Sequence, residues 1–192
     1  MLSILPLLKW ITLFPIPLIN ELWVTIITVI WYIKLISCNN DKIILPVSYK
    51  RAKEALMDAL DKYKPSFILS LGLAGTRKEI SIEEKAINLM GASVKDNDGV
   101  LLNEEIIKGE AELYTNVDIN SLIKKLNDNN VYKSSDCGKY ICNEVYYLSL
   151  YHNYKNALFI HLPPIKEMRE DGKELSYLVD VVKKVIKILK EI

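Results

Sequence analysis

From residue 42 onward, short apolar runs alternate with longer segments whose apolar positions recur every three or four residues, the pattern of strands alternating with helices. Residues 42–47 make a short apolar strand that Pro46 brings to a stop. Ala52, Ala55, Leu56, Ala59 and Leu60 then share one helical face, and that helix must end before Pro65. Residues 67–73 read as a buried strand running into Gly72 and Gly75, hence into a tight turn. Ser81 and Glu84 have the spacing of a capping box, which predicts a helix opening at Ser81. Asp118 can cap a helix with Ile119, Leu122, Ile123 and Leu126 on its inner face. A weak strand follows at residues 131–134, a helix at 142–152, and a buried strand at 157–161 closed by Pro163 and Pro164. Leu175, Leu178, Val182, Val185, Ile186 and Leu189 form the stripe of a C-terminal helix. Its outer lysines, Lys183, Lys184, Lys187 and Lys190, read as a solvated face. This alternation predicts an α/β domain, without internal repeats.

Residues 1–37 obey a different pattern. They carry only Lys9, Glu21 and Lys34 as charges, in two uncharged runs, 10–20 and 22–33, broken by Pro15 and Pro17. Neither run reaches the roughly 20 apolar residues of a spanning helix, so a membrane segment is not expected. Residues 22–36 would at most be a short anchor, and no small-residue cleavage site follows them. The remainder, residues 38–192, has the charge density of an ordinary soluble domain, and a chain of 192 residues fits a single core. A formal charge of +1 leaves no basic excess for nucleic acid. Cys38, Cys137 and Cys142 are an odd set with no zinc-ligand spacing, which favours a reducing, cytoplasmic setting over a disulfide framework.

Candidate chemistry is limited by the presence of only two histidines. His161 falls at the carboxyl end of a predicted buried strand, where open α/β sheets place their sites, whereas His152 ends a helix. Alone, a histidine at a strand end is more often structural than catalytic. Cys142 follows the Gly138 turn and precedes a helical pattern, so its thiol should sit at a helix N-terminus, where the dipole lowers a thiol pKa. The competing reading is a buried core cysteine, which suits Cys137 and Cys38 better. With Glu84 assigned to the cap, Glu83 is left free to act as an acceptor that orients an imidazole. Otherwise it is an ordinary first-turn carboxylate.

These residues resemble the type I pyroglutamyl peptidases, or pyrrolidone carboxyl peptidases. The resemblance runs from about Ile44 to the C-terminus. It is carried by Leu45-Pro46-Val47, Gly72-Leu73-Ala74 with Arg77, and Ile80-Ser81-Ile82-Glu83 with Ala86 and Asn88. Asp96-Asn97 with Gly99, Gly138 with Cys142-Asn143, and Phe159-Ile160-His161 with Pro163 complete it. It implies a single three-layer α/β/α domain around a mixed, mostly parallel twisted sheet. It also implies a cysteine peptidase removing an N-terminal pyroglutamate from peptides, with Cys142 as nucleophile, His161 as general base and acid, and Glu83 orienting His161. Val94, Tyr140 and Ile141 map onto the residues that hold the lactam ring. No metal or organic cofactor is implied, and tetrameric relatives make a homo-oligomer the expected assembly.

The sequence departs from the family at two single positions and across its N-terminal segment. The family arginine five residues after the Asn88 equivalent, an oxyanion stabiliser, is Ser93 here, and a glycine before Arg77 is Thr76. More extensively, residues 1–37 contain no recognisable first strand and no Gly-Phe-x-Pro-Phe-Gly loop. A sheet lacking that strand would be left without a central element. The codons of Leu13-Phe14-Pro15-Ile16-Pro17, read one nucleotide later, permit a Phe, Pro, Phe series like that loop. Residues 1–37 are therefore expected to be a reading-frame error or a recent replacement in front of the domain at 38–192. The alternatives are a membrane anchor, or a noncatalytic relative that binds a partner through its apolar N-terminus.

Overall fold

The computed structural model describes residues 8–13, 42–164 and 174–191; the apolar run at 22–33, Pro15, Pro17 and Cys38 lie outside the described residues. In chain order the elements are β1 (Leu8–Leu13), β2 (Lys42–Leu45), α1 (Tyr49–Tyr63), β3 (Phe67–Leu73), β4 (Ile80–Glu83), β5 (Lys85–Ile87), β6 (Glu112–Tyr114), α2 (Ile119–Leu126), β7 (Val131–Ser134), α3 (Ile141–His152), β8 (Ala157–Leu162) and α4 (Glu174–Leu189). The main sheet has the order β2-β1-β3-β8-β4-β7, and β5 pairs with β6 in a small antiparallel ribbon. Neighbours in the main sheet are parallel except β4 and β8. Among the described residues no helix is long and apolar enough to cross a membrane.

Strand parity divides the core in two. Leu69, Leu71, Ile80, Ile82, Leu158, Ile160 and Leu162 point to one face, where α2 and α4 cover them. Ile68, Ala157 and Phe159 point to the other, against α1, α3 and residues of the β5–β6 ribbon. Helices on both faces of a largely parallel sheet make the three-layer α/β/α domain. The helix ends follow their local chemistry. The Ser48 hydroxyl accepts from Arg51 N–H at the start of α1, Asp118 accepts from Ser121 N–H at 3.0 Å at the start of α2, and Lys64 and Asn127 close these helices in the left-handed conformation.

Two expectations are corrected. The sheet does not lack a strand in its interior: Leu8–Leu13 runs parallel to both β2 and β3, with Leu13 opposite Leu45 on one side and Gly72 on the other. Its Trp, Ile and Thr suit a strand. A strand flanked by parallel neighbours, however, need not show polar alternation, and here it lies within a largely apolar stretch with only Lys9 as a charge inside it. Likewise, residues 80–83 form strand β4 rather than the start of a helix. Ile80 and Ile82 enter the α2–α4 core while Ser81 and Glu83 take the opposite face, a period of two that decides against the capping spacing. Glu84, freed from a cap, forms an ion pair with Lys133 at 2.9 Å.

Candidate active site

The same parity assembles the polar site. On β8, His161 shares the face of Ala157 and Phe159, at the carboxyl end of the strand; on β4, Glu83 shares the face of Ser81, which lies opposite His161 in the register. The diagonal pair meets: His161 Nδ1 and Glu83 Oε1 are 2.8 Å apart, and Glu83 is fully buried. Burial opposes the charge on Glu83. The hydrogen bond and charge of His161, the nearby Ser134 and the Arg77 guanidinium outweigh it and hold the carboxyl below its ordinary range. Glu83 is thus an acceptor for His161 Nδ1, and Nε2 is the ring nitrogen that this contact leaves unused.

Arg77 is the residue that the sequence reading quoted without a role. It follows the β3 turn and donates to Ser81 Oγ, to Glu83 Oε1 and to the Asp136 carbonyl. Ser81 Oγ also donates to Glu83 Oε1, at 3.0 Å. Tyr146, from α3, donates its hydroxyl to the Glu83 carbonyl at 2.7 Å, and its ring packs on Phe159. Glu83 is therefore fixed through its side chain and its backbone. The usable signal in the sequence was the alternation Ile80-Ser81-Ile82-Glu83, which places Ser81 and Glu83 on one side.

Cys142 is the second residue of α3, as its sequence position implied. Tyr140, at the N-cap, provides no side-chain capping hydrogen bond. The first N–H groups of the helix, including that of Cys142, have no intrahelical acceptor. The sulfur reaches over β3 at Gly72, which pairs with His161. A Cβ there would lie 3.1 Å from Cys142 Sγ and 2.7 Å from the Phe159 ring, so glycine is what lets the thiol and the ring close on the strand. Phe159 in turn contacts the His161 ring at a centroid distance of 4.7 Å.

The expected lowering of the Cys142 pKa is corrected. Burial and the charge of Glu83 push its thiol up to about 12, against a smaller opposing effect of Arg77. Desolvation is the largest of these effects and disfavours the thiolate. Cys137 is buried, as a core cysteine should be, and its thiol is raised further by burial and then by Glu83. Its location is less ordinary. Among the described residues, one donor atom each of Glu83, Cys137 and His161 lie within 4.8 Å of one another, and Cys142 stands outside that trio.

The α3 terminus is held by Asn143. Its buried amide accepts from Ile87 N–H at 2.9 Å and donates to the Ile87 and Leu89 carbonyls at 2.8 and 3.0 Å. Asn88 similarly binds the backbone of Ile106 and Ile107. The sequence reading assigned neither side chain this task. Of the candidate ring-binding residues, Tyr140 stands edge-on to Tyr49 and donates to the Lys95 carbonyl at 3.0 Å, Val94 is 57% exposed, and Ile141 is buried in the α1–α3 core. Ser93 is exposed next to Val94.

Comparison with known proteins gives one consistent result. The family model described as pyroglutamyl peptidase matches residues 32–190. The pyrrolidone-carboxylate peptidase of Brachyspira hyodysenteriae is 34% identical over 77% of this chain and 79% of its own. That of Pyrococcus furiosus is 38% identical over 65% of this chain and 64% of its own. In structure, the pyrrolidone carboxyl peptidase of Fervidobacterium islandicum superposes with a TM-score of 0.81 at 28% identity, covering 96% of this chain and 99% of that one. A mutant enzyme from Pyrococcus furiosus gives 0.78 at 28% identity, with the same coverage of both chains.

Proposed function

The chain belongs to the pyroglutamyl peptidase family, and we propose that it hydrolyses the amide bond after an N-terminal pyroglutamate of peptides, with Cys142 as nucleophile, His161 as general base and acid, and Glu83 as the group that orients His161. The observation that carries this reading is the buried Glu83–His161 pair together with the Cys142 sulfur lying against Gly72, the residue that pairs with His161 between β3 and β8.

The raised thiol pKa favours proton transfer and attack occurring together. Cys142 transfers its proton to His161 Nε2 as its sulfur attacks the amide carbonyl, so thiolate and imidazolium form together, and Glu83 stabilises the imidazolium from the far side. The oxygen of the tetrahedral intermediate takes the Cys142 N–H at the uncapped end of α3. The imidazolium protonates the leaving amine, and water then hydrolyses the thioester with His161 again as base. Tyr140, Val94 and Ile141 are proposed to hold the lactam: the Tyr140 ring by direct contact, Val94 from its exposed loop, and Ile141 by fixing the base of α3 in the core. The free thiols of Cys137 and Cys142 suit a cytoplasmic enzyme, and a homo-oligomer is the proposed assembly.

Turnover of a pyroglutamyl fluorogenic amide by the purified protein tests the reading. Cys142→Ala should abolish the signal, while Cys137→Ala should retain measurable turnover. Iodoacetamide inactivation should follow alkylation of Cys142 before that of Cys137. Inactivation that tracked Cys137 would overturn the assignment of the nucleophile. Absence of turnover, combined with saturable binding to a partner, would support a noncatalytic role.

A further inference from the structure

We propose that Glu83, Cys137 and His161 form an inhibitory site for a thiophilic divalent cation of the zinc class, separate from the Cys142 sulfur. The inference rests on the reading of His161 as the base. A carboxylate oxygen, a thiol sulfur and an imidazole nitrogen are the mixed donor set that zinc takes in tetrahedral sites. All three come from buried residues, with one donor atom each within 4.8 Å of the others. A tetrahedral zinc ion needs its nitrogen and sulfur donors roughly 3.5 Å apart, from typical bond lengths of about 2.0 and 2.3 Å, so only a small closure of side chains is required.

One donor atom is already waiting. Glu83 Oε1 is engaged by Arg77, Ser81 and His161, but Oε2 is buried without a hydrogen bond. Ser134 Oγ lies beside the carboxyl and lowers its pKa, while it also accepts from Asp136 N–H at 3.2 Å and lies 3.4 Å from the Asp136 carbonyl. A buried carboxylate oxygen with no partner is rare enough to need an occupant or a function. Coordination expels the Cys137 proton to solvent, forms the Zn–S bond and involves no redox change. The fourth position is left for water.

The consequence for catalysis follows from the tautomer. Nδ1 is the imidazole nitrogen on the Glu83 side. A cation that takes Nδ1 leaves the remaining ring proton on Nε2, and Nε2–H cannot accept the proton of Cys142. Inhibition therefore acts by locking the base, not by capping the nucleophile, so it should lower kcat with little change in KM.

The test uses cobalt(II) as a spectroscopic probe and zinc(II) as the inhibitor of the purified protein. The wild type should show a near-ultraviolet thiolate-to-cobalt charge-transfer band. The Cys142→Ser variant should keep it, and Cys137→Ala should lose it. In turnover assays zinc should inhibit the wild type reversibly on chelation, and Cys137→Ala should need at least about tenfold more zinc. Cys137→Ser provides a second variant if the alanine does not fold. A band that disappears with Cys142 and survives without Cys137 overturns the proposal, as does a wild type with no band. If the protein shows no turnover, the catalytic reading fails, while the cobalt spectra still decide the site.

Discussion

Glu83→Gln keeps the shape of a fully buried side chain and removes its charge. Three interactions change together: the ion pair with Arg77, the hydrogen bond from Ser81, and the 2.8 Å contact with His161. Breaking a fully buried pair costs about 3 to 5 kcal/mol. Arg77 retains 20% exposure and the amide oxygen can still accept from it, so a loss of about 2 kcal/mol at neutral pH is expected. The catalytic effect should be larger. An amide that turns its NH₂ group to His161 Nδ1 selects the Nε2–H tautomer, and comparable substitutions in hydrolase triads cost about 10⁴-fold. We therefore expect kcat to fall about 10³- to 10⁴-fold with KM nearly constant, because Glu83 lies beneath His161 and away from the substrate. The stability difference should also depend on pH. The folded-state carboxyl of Glu83 lies below its ordinary 4.5, so its contribution is fully present above that value and is lost as pH falls through the lower folded value. Urea unfolding from pH 7 downward should show the gap between wild type and variant constant to about pH 4.5 and narrowing below it. A fall in kcat of less than tenfold, a rise in KM as the main effect, or a gap that widens in acid would refute this account.

Further outcomes concern three other positions. Asn143→Ala removes the three hydrogen bonds of a buried side chain, so a loss of roughly 3 kcal/mol in chemical denaturation is expected, with a fall in kcat as the α3 terminus loosens; a loss below about 1 kcal/mol would show that the β5 edge holds without it. Ser93→Arg should raise kcat more than it lowers KM if the exposed Ser93 marks a missing oxyanion donor; unchanged turnover in folded protein would place that task elsewhere. Resequencing the gene should reveal a frame interruption within the codons of residues 1–37. An intact frame with no Gly-Phe-x-Pro-Phe loop encoded in either alternative frame would exclude it.

Strand β3 was legible because its apolar run ends in glycines, and α2 because Asp118 precedes a clean apolar face. Cys142 at a helix start and His161 at a strand end followed from turn signals on either side. What failed did so for physical reasons. Ser81 and Glu84 fit a capping box by spacing, but pairing on both edges of β4 overrides a local preference that only a free helix end would express. β5 and β6 have three residues each and are separated by a long loop, so neither carries a periodic signal. The role of Arg77 depends on a contact with the Asp136 carbonyl, 59 residues away, which no local pattern contains. The Cys142 pKa failed because a helix terminus is visible in sequence whereas the depth of burial is not.

The reversed direction of β4 also bears on how the molecule acquires its activity. Glu83 and His161 lie 78 residues apart, and β8 enters the sheet between β3 and β4, so the contact exists only after the last strand has inserted. Such non-local closure is slow compared with forming α1 or α2, because loop entropy is lost before the contacts reward it. Helical signal in a refolding experiment should therefore return ahead of turnover, and a nascent chain that has not yet delivered β8 should hold its thiols without the base that activates them. A peptidase of this design remains inert until its own synthesis and folding are essentially complete.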